Sequence, residues 1–169
     1  ANANADREMQ MQIANANSNC NLQMQLATAT LVKQGSFTTG ATVVEWGNQR
    51  FRYGEDWLNK CEQVSGCVLR KPTQYVWEYF EDLGFADYLA IDINTELRSI
   101  AMDLNFILKD KYNYTTQFDY VTNNGTGEHI FDQRTVFENM HNLCRVGGTM
   151  INVLPFAPWF NHCFYSYHP

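Results

Sequence analysis

Five short apolar runs, each closed by polar or glycine residues and separated by segments of helical period, constrain this chain most; they occupy positions 41–46, 88–93, 99–104, 118–122 and 149–154. Ala41-Thr42-Val43-Val44-Glu45-Trp46 and Thr149-Met150-Ile151-Asn152-Val153-Leu154 are rich in β-branched residues and lack strict polar alternation. Strands buried on both faces read this way. The run at 99–104 reads as a short strand or a turn. Between the runs, Tyr75, Val76, Tyr79, Phe80 and Leu83 recur at helical spacing, with Pro72 expected to start the helix and Gly84 to stop it. Val136, Phe137, Met140 and Leu143 mark one face of a second helix over 132–144, and a shorter one is expected over 55–64. Gly147-Gly148 reads as the turn into the last strand. Strands alternating with helices at this pitch predict an α/β fold: a mostly parallel sheet with right-handed crossovers and helices on both faces.

The first 35 residues differ in kind. Positions 1–13, ANANADREMQMQI, align without a gap with positions 14–26, ANANSNCNLQMQL. Two copies of so short a unit do not build a solenoid. The segment 1–35 reads as a low-complexity appendage, helical in parts or disordered, and 36–169 as the domain proper.

A chain of 169 residues with 45% hydrophobic and 14% aromatic content can fill one core. Its net charge of −6 opposes a general electrostatic grip on nucleic acid or an anionic membrane, so no nucleic acid and no membrane is expected as partner. Arg50 with Arg52, and Arg70 with Lys71, are small basic clusters of the kind that usually face solvent. There is no run of about 18 apolar residues and no basic segment leading an apolar one, so neither a spanning helix nor a signal peptide is expected. The first residue is Ala, which is consistent with a missing natural start. Five cysteines without framework spacing suit reduced thiols in the cytoplasm. Neither Cys61 with Cys67 nor His141 with Cys144 has the tight spacing of a structural zinc site, so no metal is expected.

In open α/β sheets, ligands bind beyond the carboxyl ends of the strands. The unusual residues of this chain lie there: Gly47-Asn48-Gln49 after the first strand, Asp92 after the second, and 123–129 after the fourth. A carboxylate at Asp92 can accept from both hydroxyls of an adenosine ribose; the alternative is an Asp that caps the turn 92–95. Asp103, before Leu104, can accept from an adenine amino group or cap a helix over 105–111.

These segments together resemble the class I S-adenosylmethionine-dependent methyltransferases. The segments that carry the resemblance are Val43-Val44-Glu45-Trp46-Gly47, then Tyr88-Leu89-Ala90-Ile91-Asp92, then Phe118 to His129, and finally Leu143-Cys144-Arg145-Val146-Gly147-Gly148-Thr149-Met150-Ile151. The resemblance covers about residues 40 to 169. It implies a Rossmann-like sheet and S-adenosylmethionine as cofactor. The implied cofactor residues are Glu45, Gly47, Asn48, Gln49, Asp92, Ile93, Asp103, Leu104, Asn123 and Gly125. The chain departs from the family in its first loop, where Asn48-Gln49-Arg50 replace closely spaced glycines. The family fold also continues past the fifth strand with a helix and an antiparallel strand pair, so the sheet is expected to be incomplete at its C-terminal edge.

The implied reaction is direct methyl displacement onto a small-molecule or sugar-like acceptor. His129 is the candidate base and Glu128 the neighbour that orients it or binds the acceptor. The alternatives are a first-turn Glu128 placed for the helix dipole and a packing His129. Residues 161–165 are candidates to line the acceptor pocket. Two other readings stay open. One is an NAD-dependent oxidoreductase, against which the missing Gly-x-Gly-x-x-Gly counts. The other is an inactive Rossmann-like structural relative.

Overall fold

The computed structural model describes residues 22–51, 53–155 and 163–167. The chain forms a Rossmann-like α/β sandwich. The elements are α1 (residues 22–33), β1 (Thr42–Trp46), α2 (Glu55–Ser65), α3 (Val76–Asp82), β2 (Asp87–Asp92), β3 (Ser99–Ala101), α4 (Leu108–Tyr112), β4 (Phe118–Asn124), a 3₁₀ turn (Gly127–His129), α5 (Gln133–Leu143) and β5 (Cys144–Val153). Among the described residues the five strands pair in parallel, in the order β3-β2-β1-β4-β5. β1 is central: Val43 lies opposite Tyr88 of β2 and Tyr120 of β4.

Side chains alternate across this sheet and make two cores. Val43, Tyr88, Ala90 and Tyr120 face α1, α2 and α3, whereas Val44, Trp46, Ile91 and Val121 face α4 and α5. Burial on both faces explains why the central strands carry continuous apolar runs.

The helix α1 belongs to the first core, although its sequence reads as part of an appendage. Ala29 and Thr28 are fully buried, the Thr28 and Tyr120 hydroxyls bond at 2.9 Å, and Tyr79 Oη donates to the Gln25 carbonyl at 2.7 Å. Small side chains let the helix sit close to the sheet, where two tyrosine hydroxyls need partners. Positions 1–21, which hold most of the repeat, lie outside the described residues.

Four local expectations are corrected. The helix α3 begins at Val76 and not at Pro72; Glu78 reaches back to the backbone N–H groups of Gln74 and Tyr75, at 2.7 and 3.0 Å, and fixes the start there. Strand β3 stops at Ala101, because Met102 and Leu104 turn into the second core. On α5 the buried face is Val136, Asn139, Met140 and Leu143, while Phe137 is 39% exposed. Asn139 takes the inner place because it caps α4, accepting from Leu108 N at 2.9 Å and donating to Phe106 O at 2.9 Å. Finally, Gly147-Gly148 lies inside β5, in a bulge: Phe118 faces Cys144 but Tyr120 faces Thr149. A Cβ at Gly148 would stand 2.9 Å from the Asp119 carbonyl, so the bulge closes only over glycine. Among the described residues β5 is the outer strand on its side of the sheet.

Candidate functional site

The chain leaves β1 for β2 and β3 on one side and for β4 and β5 on the other, so the strand order reverses between β1 and β4. Such a switch point opens a crevice at the carboxyl ends of the strands. Three loops meet there.

The loop after β1 is held from both sides by its own polar side chains. Asn48 N donates to Asp92 Oδ2 at 2.9 Å, and Asn48 Nδ2 to Asn94 Oδ1 at 2.6 Å and Ser99 Oγ at 3.2 Å. Gln49 Nε2 donates the other way, to the Asn124 carbonyl at 2.8 Å. Where a glycine-rich loop would fold on its own flexibility, this one is bracketed to β2 and β4. That accounts for Asn48-Gln49 in the place of glycines.

Gly47 is the fixed point of the loop. Its φ is +76°, its N–H bonds Ile91 O at 2.8 Å, and a Cβ there would run into Thr126 Oγ1. Thr126 Oγ1 in turn donates to Trp46 O at 2.9 Å. Thr126 therefore occupies the space that the glycine leaves and ties the β1 and β4 loops together across the crevice.

Asp92 stands half-buried at the rim. Its Oδ1 accepts from Ile93 N at 2.6 Å and Asn94 Nδ2 at 2.9 Å, and its Oδ2 from Asn48 N. The turn-capping interaction is thus present. A carboxylate oxygen carries two lone pairs, which leaves Oδ2 acceptor capacity toward a ligand. Ile93 beside it is 83% exposed. Asn123 holds the third loop: its Oδ1 accepts from Gly127 N at 2.8 Å and its Nδ2 donates to Asn152 Oδ1 at 3.1 Å. Gly125 N bonds Val153 O at 3.0 Å.

The structure thus gathers Gly47, Asn48, Gln49, Asp92, Ile93, Asn123 and Gly125 at the carboxyl ends of β1, β2 and β4, with Asp103 beyond the end of β3, and turns the side chains of Glu45 and Leu104 into the cores. Glu45 lies within the first core at 1% exposure, where Tyr88 Oη donates to its Oε2 at 2.6 Å. Burial pushes its carboxyl up to about 7. Leu104 packs in the second core and offers only its carbonyl, which takes the Thr135 hydroxyl at 2.8 Å. Asp103 Oδ1 is spent on Asn105, accepting from its N at 2.9 Å and its Nδ2 at 2.8 Å; the capping of α4 falls to Asn139 instead.

The catalytic candidates part company. His129 is exposed, whereas Glu128 is 1% exposed, and burial pushes its carboxyl up to about 7. A carboxyl in that range can act as a base near neutral pH. The turn that carries it is locked by Gln133, whose Nε2 donates to Gly127 O at 2.7 Å and Ile130 O at 2.6 Å. Residues 163–167 lie over this turn: Phe164 N donates to Glu128 O at 3.2 Å, and the Tyr167 hydroxyl bonds Gln133 Oε1. Asn161 and His162 lie outside the described residues. Thr126, Asn94 and Tyr167 escaped the sequence reading. Thr126 sits inside the motif that the sequence flagged, but nothing in the sequence reveals that it faces Gly47.

No family model and no curated protein matches the chain. A solved structure does: the trans-methyltransferase CalH in complex with SAH, at 14% identity and a TM-score of 0.45 over 74% of this chain. The chain spans about a third of that protein's length, 34%. Among the described residues no three His, Cys, Asp or Glu side chains come together as a metal site, and no helix is long and apolar enough to cross a membrane.

Proposed function

We propose that the chain is an S-adenosylmethionine-dependent methyltransferase acting on a hydroxyl of a small molecule. The observation that carries this reading is the bond from the Gly47-Asn48 loop to Asp92, which sets a carboxylate with spare acceptor capacity beside the switch-point crevice. The residues suit the cofactor: Asp92 Oδ2 would accept from its ribose hydroxyls, and the backbone at Gly47 has no Cβ to fend off a ligand once Thr126 gives way. When bound, S-adenosylmethionine supplies a methyl group on a sulfonium, whose sulfur departs with the carbon–sulfur electron pair. The chain's own task is to align the acceptor, which can contribute as much as ~7–11 kcal/mol toward the barrier. Glu128 would take the proton of the acceptor hydroxyl, leaving that oxygen free to accept the methyl group. A positioned base adds about 10²–10⁴-fold.

The Thr126 contact gives one rival reading its content. A crevice latched by that side chain suits a structural relative that binds nothing. Calorimetry with S-adenosylhomocysteine, and with NAD in parallel, separates the two. We expect micromolar binding of the first that Asp92→Ala weakens at least tenfold, about 1.4 kcal/mol, and that Asp92→Asn weakens less. Binding of NAD alone, or of neither ligand, would refute the proposal.

A further inference from the structure

The two loops that hold Asp92 have a second set of ties, which run through the start of α3. The chain leaving β1 forms an antiparallel bridge between Arg50 and Tyr75, and Phe51 N donates to Gln74 O at 2.9 Å. Tyr75 precedes α3 and Trp77 stands in its first turn; their rings stack at 4.2 Å between centroids, with an interplanar angle of 6°. The Arg50 guanidinium lies over the Tyr75 ring at 6.0 Å and the Arg98 guanidinium over the Trp77 ring at 5.0 Å. A guanidinium within about 6 Å of a ring centroid is drawn to the negative face of the ring.

These contacts close a ring. From Asn48 the chain runs to Arg50, the stack carries the contact through Tyr75 and Trp77 to Arg98, and Ser99, the next residue, takes the Asn48 side-chain amide at 3.2 Å. Asn48 N, on that ring, is the donor to Asp92 Oδ2. Each aromatic ring has one face against its neighbour and the other beneath an arginine, and both are half-buried. That arrangement suits a brace and not a platform on which a flat ligand could lie.

Arg98 is the point that most needs holding. Leu97 and Arg98 stand in succession at φ +50° and +58°, in the left-handed region that bulky side chains seldom adopt. Such backbone persists only where its surroundings fix it. Arg98 Nη1 donates to Glu81 Oε1 at 2.7 Å, its guanidinium covers Trp77, and its carbonyl takes Ala90 N at 3.1 Å. Two of these three ties go to α3.

We infer that the Tyr75–Trp77 stack is a positioning device for Asp92: it sets the spacing between the loop after β1 and the loop after β2, and with it the direction of the carboxylate that they share. The inference rests on the methyltransferase reading for what Asp92 then binds. It adds Trp77 as a positioning residue that acts on donor binding through Arg98, Ser99 and Asn48.

The test is amide hydrogen exchange in the full chain, followed by NMR, beside calorimetry with S-adenosylhomocysteine. Asn48 N and Ile93 N report on the Asp92 carboxylate that they bond, while Gly127 N and Leu108 N bond asparagine side chains outside the ring and report on the rest of the fold. The variants are Trp77→Leu, Trp77→Phe and, as a control that loosens α3 from the core without touching the ring of contacts, Phe80→Leu. Should Trp77→Leu fail to fold, Arg98→Ala opens the same ring from its other end. We expect Trp77→Leu to speed exchange at Asn48 and Ile93 about fivefold more than at Gly127 and Leu108, and to weaken S-adenosylhomocysteine about threefold or more. Trp77→Phe keeps a ring and should recover most of both; Phe80→Leu should speed all four amides alike. A uniform rise in Trp77→Leu, or no change at Asn48 and Ile93, overturns the inference. So does an unchanged affinity in Trp77→Leu where the wild type binds. If the wild type does not bind S-adenosylhomocysteine while exchange at Asn48 and Ile93 follows Trp77, the brace stands and the methyltransferase reading falls.

Discussion

Glu45 should make the protein less stable as pH rises toward neutrality, and Glu45→Gln should remove that loss. The carboxyl is 1% exposed, its hydrogen bond is to the neutral Tyr88 hydroxyl, and burial outweighs that bond in lifting it from 4.5 to about 7. Below about pH 4.5 the group is protonated in both folded and unfolded chains and has no effect. Between about 4.5 and 7 the unfolded chain loses its proton while the folded chain keeps it, so unfolding becomes progressively easier. Above about 7 both are ionised and the loss is complete. A gap of about 2.5 units is worth about 3 kcal/mol.

Glutamine keeps a carbonyl oxygen for Tyr88 and does not titrate. Any packing cost of its amide is the same at every pH, so the slope carries the signal and the offset does not. Urea unfolding followed by tryptophan fluorescence from pH 4 to 8 should show the variant gaining on the wild type by about 3 kcal/mol, mostly between pH 5 and 7. Glu128 titrates in both proteins and cancels from the difference. A stability difference that stays flat across this range would refute the claim that burial holds Glu45 protonated.

Two further changes probe the crevice and the first helix. Gly47→Ala forces a side chain into φ +76° and into Thr126 Oγ1, and should cost about 2 kcal/mol or more by urea unfolding; adding Thr126→Ala should recover part of it, whereas strictly additive costs would deny the contact. Tyr120→Phe removes the bond to Thr28 and should cost about 1 kcal/mol, a fall of about 2–4 °C in Tm, with faster amide exchange in residues 22–33; unchanged exchange would mean that α1 is not held by this bond.

The parallel strands were legible because burial on both faces leaves a mark in the sequence: a β-branched run such as Val43-Val44 without polar alternation. The rim was legible because ligands gather where parallel strands end, so Gly47, Asp92 and Asn123 could be picked out by position alone. What those residues bond to was not legible. Asn48 reaches Asp92 across 44 positions and Gln49 reaches Asn124 across 75, and no local pattern encodes either pairing. The same limit hid α1, whose place is decided by Tyr79 and Tyr120 and not by its Asn- and Gln-rich composition. Gly147-Gly148 reads as a turn by local rules, yet the edge of the sheet absorbs both residues as a bulge. Glu45 was misplaced for a related reason. Strand position puts it near the loop, but alternation turns its side chain down into the core, where Tyr88, diagonal to it across the β1–β2 register, gives it a hydroxyl.

Two buried carboxyls with the same raised range create an ambiguity that the fold itself can resolve. Glu45 and Glu128 are both lifted to about 7, so a methyl-transfer rate that rises with pH through about 7 fits ionisation of either. Their positions differ in consequence. Glu128 lies in the turn beyond β4, and as the proposed base its ionised form would take a proton from an acceptor. Glu45 faces the first core and reaches the crevice only through the backbone of Trp46 and Gly47. In Glu45→Gln the rate should still rise through about pH 7 with kcat little changed, because the proposed base is intact. In Glu128→Gln the rise should disappear and the rate fall by about 10²–10⁴-fold at high pH, while S-adenosylhomocysteine binds as before. If the rise instead vanishes in Glu45→Gln and survives in Glu128→Gln, proton removal at Glu128 is not what limits the rate. The pH dependence would then come from the folded state, through strain that ionised Glu45 transmits to the Gly47 loop.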